Sequence, residues 1–104
     1  MQRLLTKELK GSLPKFREQE DSKDPTVHVV YFFPGSGWAW FVTEGQQETD
    51  DFIFFGYVIG FESEWGYFAL SELEGIDIYG VRAERVLDFT PTPISELKKQ
   101  AAGS

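Results

Sequence analysis

Carboxylates are the residues of this chain whose type and spacing could do chemistry. Ten acidic residues lie between Lys23 and Arg82, and that span contains no lysine or arginine. Within it, Glu62 and Glu64 stand two residues apart, which on one extended strand places their Cα atoms roughly 6.5–7 Å from each other. Two carboxylates at such a separation can act as the acid and base of glycoside hydrolysis. A carboxylate enzyme is therefore one hypothesis, but the least favoured, because we expect a chain of 104 residues to lack a second domain that forms a substrate cleft.

Groups for other kinds of chemistry are scarce in the sequence. The chain has no cysteine, which excludes disulfides, thiolate catalysis and zinc–thiolate sites. The single histidine, His28, alternates with valines in a predicted strand and is interpreted as structural. A metal site would need oxygen ligands alone, such as Glu62, Glu64, Asp50 and Asp51, and no segment has the spacing of a calcium loop. We therefore expect no metal, no organic cofactor and no enzymatic activity.

The charge of the chain is divided between an acidic middle and mildly basic ends. The span 24–81 contributes −10 and the flanks contribute +3 to a net charge of −7. Such a field repels the phosphates of nucleic acid and attracts basic surfaces. Fourteen of the 17 aromatic residues lie between Tyr31 and Phe68, but a platform for stacking bases is disfavoured because this segment has no cation. We expect a protein partner with a basic surface and no direct binding of nucleic acid, with solubility alone as the competing explanation of the charge.

Six of the acids are predicted to form one partner-binding cluster. Glu62 and Glu64 fall on one side of an alternating segment. Asp50 and Asp51 precede one predicted strand, and Glu44 closes the strand before it. If neighbouring strands form a meander, these groups approach one edge of the sheet, where a tryptophan beside them would supply an apolar anchor. The complete predicted binding site is Glu44, Glu48, Asp50, Asp51, Glu62, Glu64 and Trp65.

Strand and helix patterns follow each other in an order typical of an α+β fold. Runs rich in aromatic and β-branched residues predict strands, and short turns separate them. Helical spacing occurs only near the two ends of the chain. We predict an antiparallel sheet of four to five strands in roughly meander order, with N-terminal and C-terminal helices. The predicted strands are 26–33, 38–44, 52–61 and 65–70, with 85–89 as a short last strand.

Local signals predict where helices begin and where loops run. Thr6 is predicted to cap the N-terminal helix and Thr92 to cap the C-terminal helix. Ser71 and Glu74 have the spacing of a capping box, with Gly75 as a left-handed terminator. Segment 45–51 is predicted to be a polar connection, and segment 76–81 is predicted to be irregular or weakly extended.

We predict one compact domain over residues 1–100 and a flexible tail over 101–104. No basic region precedes an apolar run, so no signal peptide is indicated. The longest apolar runs are far shorter than the roughly 20 residues that span a bilayer, and we expect a cytoplasmic protein. The predicted core residues are Val29, Tyr31, Trp40, Val42, Phe54, Tyr57, Phe68, Leu70 and Leu87.

Three segments together resemble a bacterial family known only as a domain of unknown function. They are "WFVTE" (Trp40–Glu44), "FFGYVIGFESEWGYFALSELEG" (Phe54–Gly75) and "AERVLDF" (Ala83–Phe89). The resemblance covers nearly the whole chain, although Val86 stands where the family usually has an aspartate. It implies an accessory protein of plasmids, conjugative elements or genomic islands, and it implies no chemistry. The matching residues are Thr43, Glu44, Phe55, Gly56, Glu64, Gly66, Tyr67, Phe68, Leu70, Glu72, Leu73, Glu84, Arg85, Leu87 and Phe89.

Charge and resemblance together give a leading hypothesis and an alternative. The leading hypothesis is a protein-binding accessory factor of a mobile genetic element, such as an anti-CRISPR or antirestriction inhibitor. It would present its acidic span to the basic, nucleic-acid-binding groove of a host defence protein. The alternative is a structural or scaffold partner in conjugation or plasmid maintenance, in which the acids only solvate the surface.

Overall fold

A computed structural model describes residues 3–103; Met1, Gln2 and Ser104, at the ends of the predicted domain and tail, lie outside the described residues. The strands are β1 (Thr26–Val27), β2 (Val29–Phe32), β3 (Ala39–Glu48), β4 (Asp51–Ile59), β5 (Ser63–Ala69), β6 (Asp77–Ile78), β7 (Val81–Arg82), β8 (Glu84–Arg85) and β9 (Thr92–Pro93). The helices are α1 (Lys7–Ser12), α2 (Leu70–Glu74) and α3 (Ile94–Gly103). Five strands form an antiparallel sheet in the order β5–β4–β3–β2–β8, which confirms the predicted α+β fold with helices near both termini.

Both faces of this sheet are covered by other parts of the chain. On what we call the first face, Tyr31, Trp40 and Phe54 pack with leucines of the N-terminal segment and of α2. On the second face, Val30 and Phe41 pack with the start of α3. The hydroxyl of Tyr31 donates to the carbonyl oxygen of Leu4 at 2.7 Å, which fixes the N-terminal segment on the first face. The sheet is therefore the central layer, and its aromatic residues fill two separate cores.

A β-bulge in β3 inverts the direction of the side chains that follow it. Val42 pairs with Gly56 and Glu44 pairs with Phe55, which leaves Thr43 as an extra residue in the ladder. One extra residue exchanges the two faces for every residue beyond it. Gly56 accommodates the bulge, because a Cβ atom there would lie 2.0 Å from a carbonyl oxygen of β3. Glu44 therefore projects from the second face, together with Phe55.

The β3–β4 hairpin is longer than predicted. Residues 45–48, predicted as part of a polar connection, continue β3 and pair with residues 51–54. Only positions 49–50 form the turn. The prediction was wrong because polarity marks exposure and not loss of pairing: Gln47 and Glu48 are exposed at the end of the sheet while their backbones pair with β4.

The two terminal helices are capped in different ways. At α1 the predicted cap is confirmed, because the N–H of Leu9 donates to the Thr6 hydroxyl at 3.2 Å. At α3 the predicted Thr92 cap is wrong. Asp24 takes that role from a distant loop, accepting from the backbone N–H of Ser95 at 3.0 Å and from its hydroxyl at 2.6 Å. These hydrogen bonds hold the pKa of the Asp24 carboxyl below its usual value.

The predicted capping box of the short middle helix is shifted by two residues. Helix α2 begins at Leu70, and the carboxylate of Glu72 accepts from the N–H of Ala69 at 3.1 Å. Ser71 therefore lies inside the helix and does not cap it. Gly75 has a φ of −80° and is right-handed, so its predicted left-handed conformation is also wrong.

Most of the segment predicted as irregular or weakly extended, 76–81, belongs to a tight hairpin formed by β6 and β7. Strands β6 and β7 pair through Ile78 and Val81, and the turn residues Tyr79 and Gly80 have φ values of 54° and 84°. Positive φ at both central positions is the signature of a type I′ turn, which suits the twist of two-stranded ribbons. The last predicted strand is shortened to β8, which pairs with β2.

Most of the predicted core is confirmed. Of the nine predicted residues, six are buried: Val29, Tyr31, Trp40, Val42, Phe54 and Phe68. Leu70 and Tyr57 are partly buried against the two cores. Leu87 is wrong, because β8 ends at Arg85 and the leucine is 58% exposed in the turn that follows.

Truncation of Trp40 to alanine should lower the free energy of unfolding by about 3–5 kcal/mol, because a large buried aromatic side chain leaves a cavity. Leu87→Ala is the matched control and should change it by less than about 0.5 kcal/mol, as expected at an exposed site. Urea unfolding followed by far-UV circular dichroism measures both. Equal effects of the two substitutions would contradict the assignment of the first-face core.

Candidate functional site

The six acids predicted to cluster are divided among three places. Glu48, Asp50 and Asp51 lie at the β3–β4 turn, whereas Glu62 and Glu64 lie at the β4–β5 turn and the start of β5. The two turns stand at opposite ends of β4, whose nine residues span roughly 26 Å. The sixth acid is buried on the second face. The prediction of one cluster is therefore wrong, because consecutive turns of an antiparallel meander lie at opposite ends; whether any of these acids binds a partner stays a prediction.

Glu44 is a structural carboxylate. Its side chain is 6% exposed. One oxygen accepts from the backbone N–H of Arg17 at 3.1 Å, and the other accepts from the N–H of Gln19 at 2.8 Å. Hydrogen bonds of this kind offset the desolvation of a buried charge. The residue holds the loop that precedes β1 against the second face, which explains its burial without an external partner.

Gln19 fastens the same loop to two strands. Its side-chain amide nitrogen donates to the carbonyl oxygens of Thr26 and Thr43, each at 2.8 Å. Its amide oxygen accepts from the N–H of Thr26 at 2.7 Å. The carbonyl of Thr43 is available because the bulge removes that residue from the ladder. The hydrogen bond from the N–H of Gly45 to the oxygen of Pro14, at 2.9 Å, fixes the start of the loop.

The loop and the sheet enclose a cleft of about 470 Å³ on the second face. Its floor consists of Phe55, Trp65 and Tyr67 from β4 and β5. Arg17 and Lys23 of the loop line its wall. Two members of the predicted binding site, Glu44 and Trp65, therefore line one cleft, with the carboxylate at its base. We call this site the aromatic cleft.

The aromatic floor is stacked and lies beside cations. The rings of Phe55 and Trp65 are 5.8 Å apart and nearly parallel, at 18°. The ammonium of Lys98 in α3 lies 4.2 Å from the ring centre of Tyr57 and 6.0 Å from that of Trp65. These contacts could not be predicted from the sequence, because the aromatic segment itself has no cation. In the folded chain, the cations beside the floor come from residues outside the span 24–81.

At the β3–β4 turn, Asp51 has a structural role. Its carboxylate accepts from the N–H of Phe52 at 2.8 Å and from the N–H of Ser71 at 3.2 Å, and the Ser71 hydroxyl also donates to it. That hydroxyl is the main reason why the pKa of Asp51 lies below its usual value. The carboxylate thus connects the turn to α2. Glu48 and Asp50 are exposed beside it.

At the opposite end of the sheet, the β4–β5 turn places aromatic and acidic side chains in solvent. Phe61 is 96% exposed, and its ring contacts Trp38 edge-on at 5.4 Å between centroids. Glu62 and Glu64 are exposed beside it, and neither forms an ion pair with any residue between 3 and 103. Trp65 follows on β5. Glu62 and Glu64 thus stay together here, whereas the side chain of Trp65 projects from the second face.

The β6–β7 hairpin presents an apolar tip near the same end. Ile78 and Val81 are exposed, and Tyr79 is fully exposed. Val81 and Pro34, the latter from the turn between β2 and β3, line one surface cleft. Trp38, which the ring of Phe61 contacts, stands at the end of the turn that contains Pro34. We call the side chains of Phe61, Glu62, Glu64, Ile78, Tyr79 and Val81 the end surface.

Polar contacts make the hairpin rigid. Asp77 accepts from the N–H of Gly80 at 2.9 Å and pairs with Arg82 at 3.4 Å. Arg82 also donates to the carbonyl oxygen of Glu74 at 2.6 Å, which ties the hairpin to the end of α2. An extended backbone was one of the two alternatives predicted for this segment, but the hairpin pairing was not predicted. The available signal was a tyrosine–glycine turn between two β-branched residues.

His28 has the structural position expected for it. It lies between β1 and β2, is half-buried, and donates its backbone N–H to the carbonyl oxygen of Val42 at 2.8 Å. Burial lowers the pKa of its imidazole. Across residues 3–103, no three acidic or histidine side chains come together as a metal-binding group, and no helix has the length and hydropathy needed to cross a bilayer.

Replacing Glu44 by alanine should lower the free energy of unfolding by about 1–3 kcal/mol, because two backbone N–H groups lose their acceptor in a largely desolvated site. Glu48→Ala, an exposed acid of the same strand, is the control and should change it by less than about 0.5 kcal/mol. Thermal and urea unfolding measure the difference. A Glu44→Ala variant as stable as the control would show that the carboxylate is not structural.

One comparison with known proteins returned a match. The family model described as a protein of unknown function, DUF2958, matches residues 4–104. Searches of curated proteins and of solved structures gave no match. The family match extends over the sheet, all three helices and both surfaces described above. The chain therefore belongs to the DUF2958 family of proteins of unknown function.

Proposed function

We propose that this protein is a non-enzymatic binding module that contacts another protein through the end surface. The exposure of Phe61 and Tyr79 carries the proposal, because two aromatic side chains lie almost entirely in solvent on tight turns. Exposed aromatic residues are the usual anchors of protein interfaces. Both aromatic residues stand on elements with fixed backbones, so little conformational entropy is lost when they bind.

The chemistry of the end surface favours a basic partner. Glu62 and Glu64 lie beside Phe61 and have no cation among the described residues to neutralise them. A lysine- or arginine-rich surface with an apolar pocket would complement both the charge and the aromatic ring. In its finer form, the proposal is a mobile-element accessory factor, such as an anti-CRISPR or antirestriction inhibitor, that occupies the basic groove of a defence protein. A scaffold role in conjugation or plasmid maintenance would use the same surface.

Alanine substitution of the two anchors is the direct test. The tagged protein would be used to purify partners from a bacterial lysate, and affinity for the identified partner would then be measured by calorimetry. Phe61→Ala with Tyr79→Ala should weaken binding by about tenfold or more, as expected for the loss of aromatic anchors. Leu87→Ala removes an exposed apolar side chain outside the end surface and should leave affinity unchanged. Equal affinity of the unmodified chain, the double variant and Leu87→Ala for the partner would contradict the proposal.

Charge reversal separates the two acidic ends of the sheet. Glu62→Lys with Glu64→Lys should weaken binding to a basic partner and reduce its dependence on salt, because exposed charges act through a screened field. Glu48→Lys with Asp50→Lys makes the same change of charge at the opposite end and should have a much smaller effect. If both double variants weaken binding equally, the interaction responds to net charge and not to the end surface.

A further inference from the structure

We propose that the aromatic cleft binds a free nucleotide, with the base against the aromatic floor and the phosphate at Arg17 and Lys23. The proposal concerns a site on the second face and does not depend on the protein-binding function of the end surface. It rests on the chemistry of the floor, on the cations of the wall and on the conformation of Arg17.

The floor offers exposed rings for stacking. Trp65 is 39% exposed and Tyr67 is 67% exposed, although both stand beside the partly buried Phe55. Phe16 meets Tyr67 edge-on, with 5.3 Å between ring centroids, and supports it from the loop side. Aromatic side chains fixed in this way are the platforms on which nucleobases stack, independently of the identity of the base.

The wall supplies groups that bind phosphate. Arg17 and Lys23 are both exposed and both line the cleft. A guanidinium binds phosphate oxygens through two parallel hydrogen bonds, and a lysine adds a compact positive charge. Lys98 lies beside the same floor, over Tyr57 and near Trp65. Two cations thus line the cleft and a third lies beside its floor, in a chain whose net charge is −7.

Arg17 is held in a conformation that disfavours any residue except glycine. Its φ is 76°, in the left-handed region. The hydrogen bond from its N–H to the buried carboxylate of Glu44 keeps it there. Backbone strain of this kind concentrates at binding sites, where it fixes the position of a side chain. An arginine with this φ lowers the stability of the fold. Binding of a phosphate in the cleft would explain why an arginine stands at this position.

The charges around the cleft favour a single nucleotide over a nucleic acid strand. Glu20 also lines the cleft, and Glu44 lies at its base with both oxygens already accepting backbone N–H groups. These carboxylates limit the anionic charge that the site can accept. The ten acids of the span 24–81 would repel the further phosphates of a strand. The volume of about 470 Å³ lies within the range of small-molecule sites.

Titration with nucleotides, followed by two-dimensional ¹⁵N NMR, tests the proposal. The probes are adenosine and guanosine 5′-monophosphate, compared with adenosine, inorganic phosphate and a short oligodeoxythymidine. The monophosphates should shift the indole N–H signal of Trp65 and the backbone amide signals of loop residues 15–24. Adenosine and inorganic phosphate should each bind about tenfold or more weakly, because each lacks one half of the recognition.

Variants of the wall and floor complete the test. Arg17→Gly removes the guanidinium and relieves the positive φ, so it should fold normally yet bind the monophosphates about tenfold or more weakly. Tyr67→Ala should weaken binding through lost stacking. Lys7→Ala, an exposed cation of α1, is the control for net charge and should bind as the unmodified chain does. The proposal is overturned if no monophosphate shifts the Trp65 signal, if Arg17→Gly binds like the control, or if the oligonucleotide binds more tightly than the monophosphates.

Discussion

The covering of the second face depends on the hydrogen bonds accepted by one buried carboxylate, that of Glu44. Placing a charge there is costly unless donors surround it. The N–H groups of Arg17 and Gln19 supply two, and in doing so they join the loop to β3 beside the hydrogen bonds of the Gln19 side chain. From that loop, Gln19 positions β1, and Asp24 caps α3. One carboxylate thus organises the elements that cover the second face and enclose the aromatic cleft.

The bulge at Thr43 explains why this arrangement could not be predicted from the sequence. The strands β2 to β5 follow from alternating aromatic and β-branched residues, and their order follows from short turns. Alternation alone would have placed Glu44 on the same face as Val42. An extra residue moves it to the other face, and the sign of such an irregularity in the sequence was a glycine inside the strand, Gly56, which in the structure lies against the bulge. The acid therefore became a structural residue, although it had been predicted to bind a partner.

The prediction of one acidic cluster is wrong, and the predicted meander topology is itself incompatible with it. In a meander, successive turns lie at opposite ends of the sheet, so acids on the turns at 49–50 and 60–62 are separated by the length of β4. Of the predicted site, Glu62 and Glu64 lie together at one end of the sheet, whereas Trp65 lines the aromatic cleft, and their role in binding stays a prediction. The cations beside the aromatic floor could not be predicted either, because Arg17 and Lys98 are distant in sequence from the aromatic segment.

Amide hydrogen exchange, measured by NMR on the unmodified chain and on Glu44→Gln, tests most directly whether the Glu44 carboxylate holds the loop. A glutamine keeps the shape of the side chain but presents one acceptor and one donor to the two loop N–H groups. We expect the amides of Arg17 and Gln19 to be protected from exchange in the unmodified chain. In Glu44→Gln, at least one of them should exchange faster, while the amides of the β3–β4 ladder exchange as before. Unprotected amides at both positions in the unmodified chain would contradict it, since the loop and its cleft would then not be held by the carboxylate.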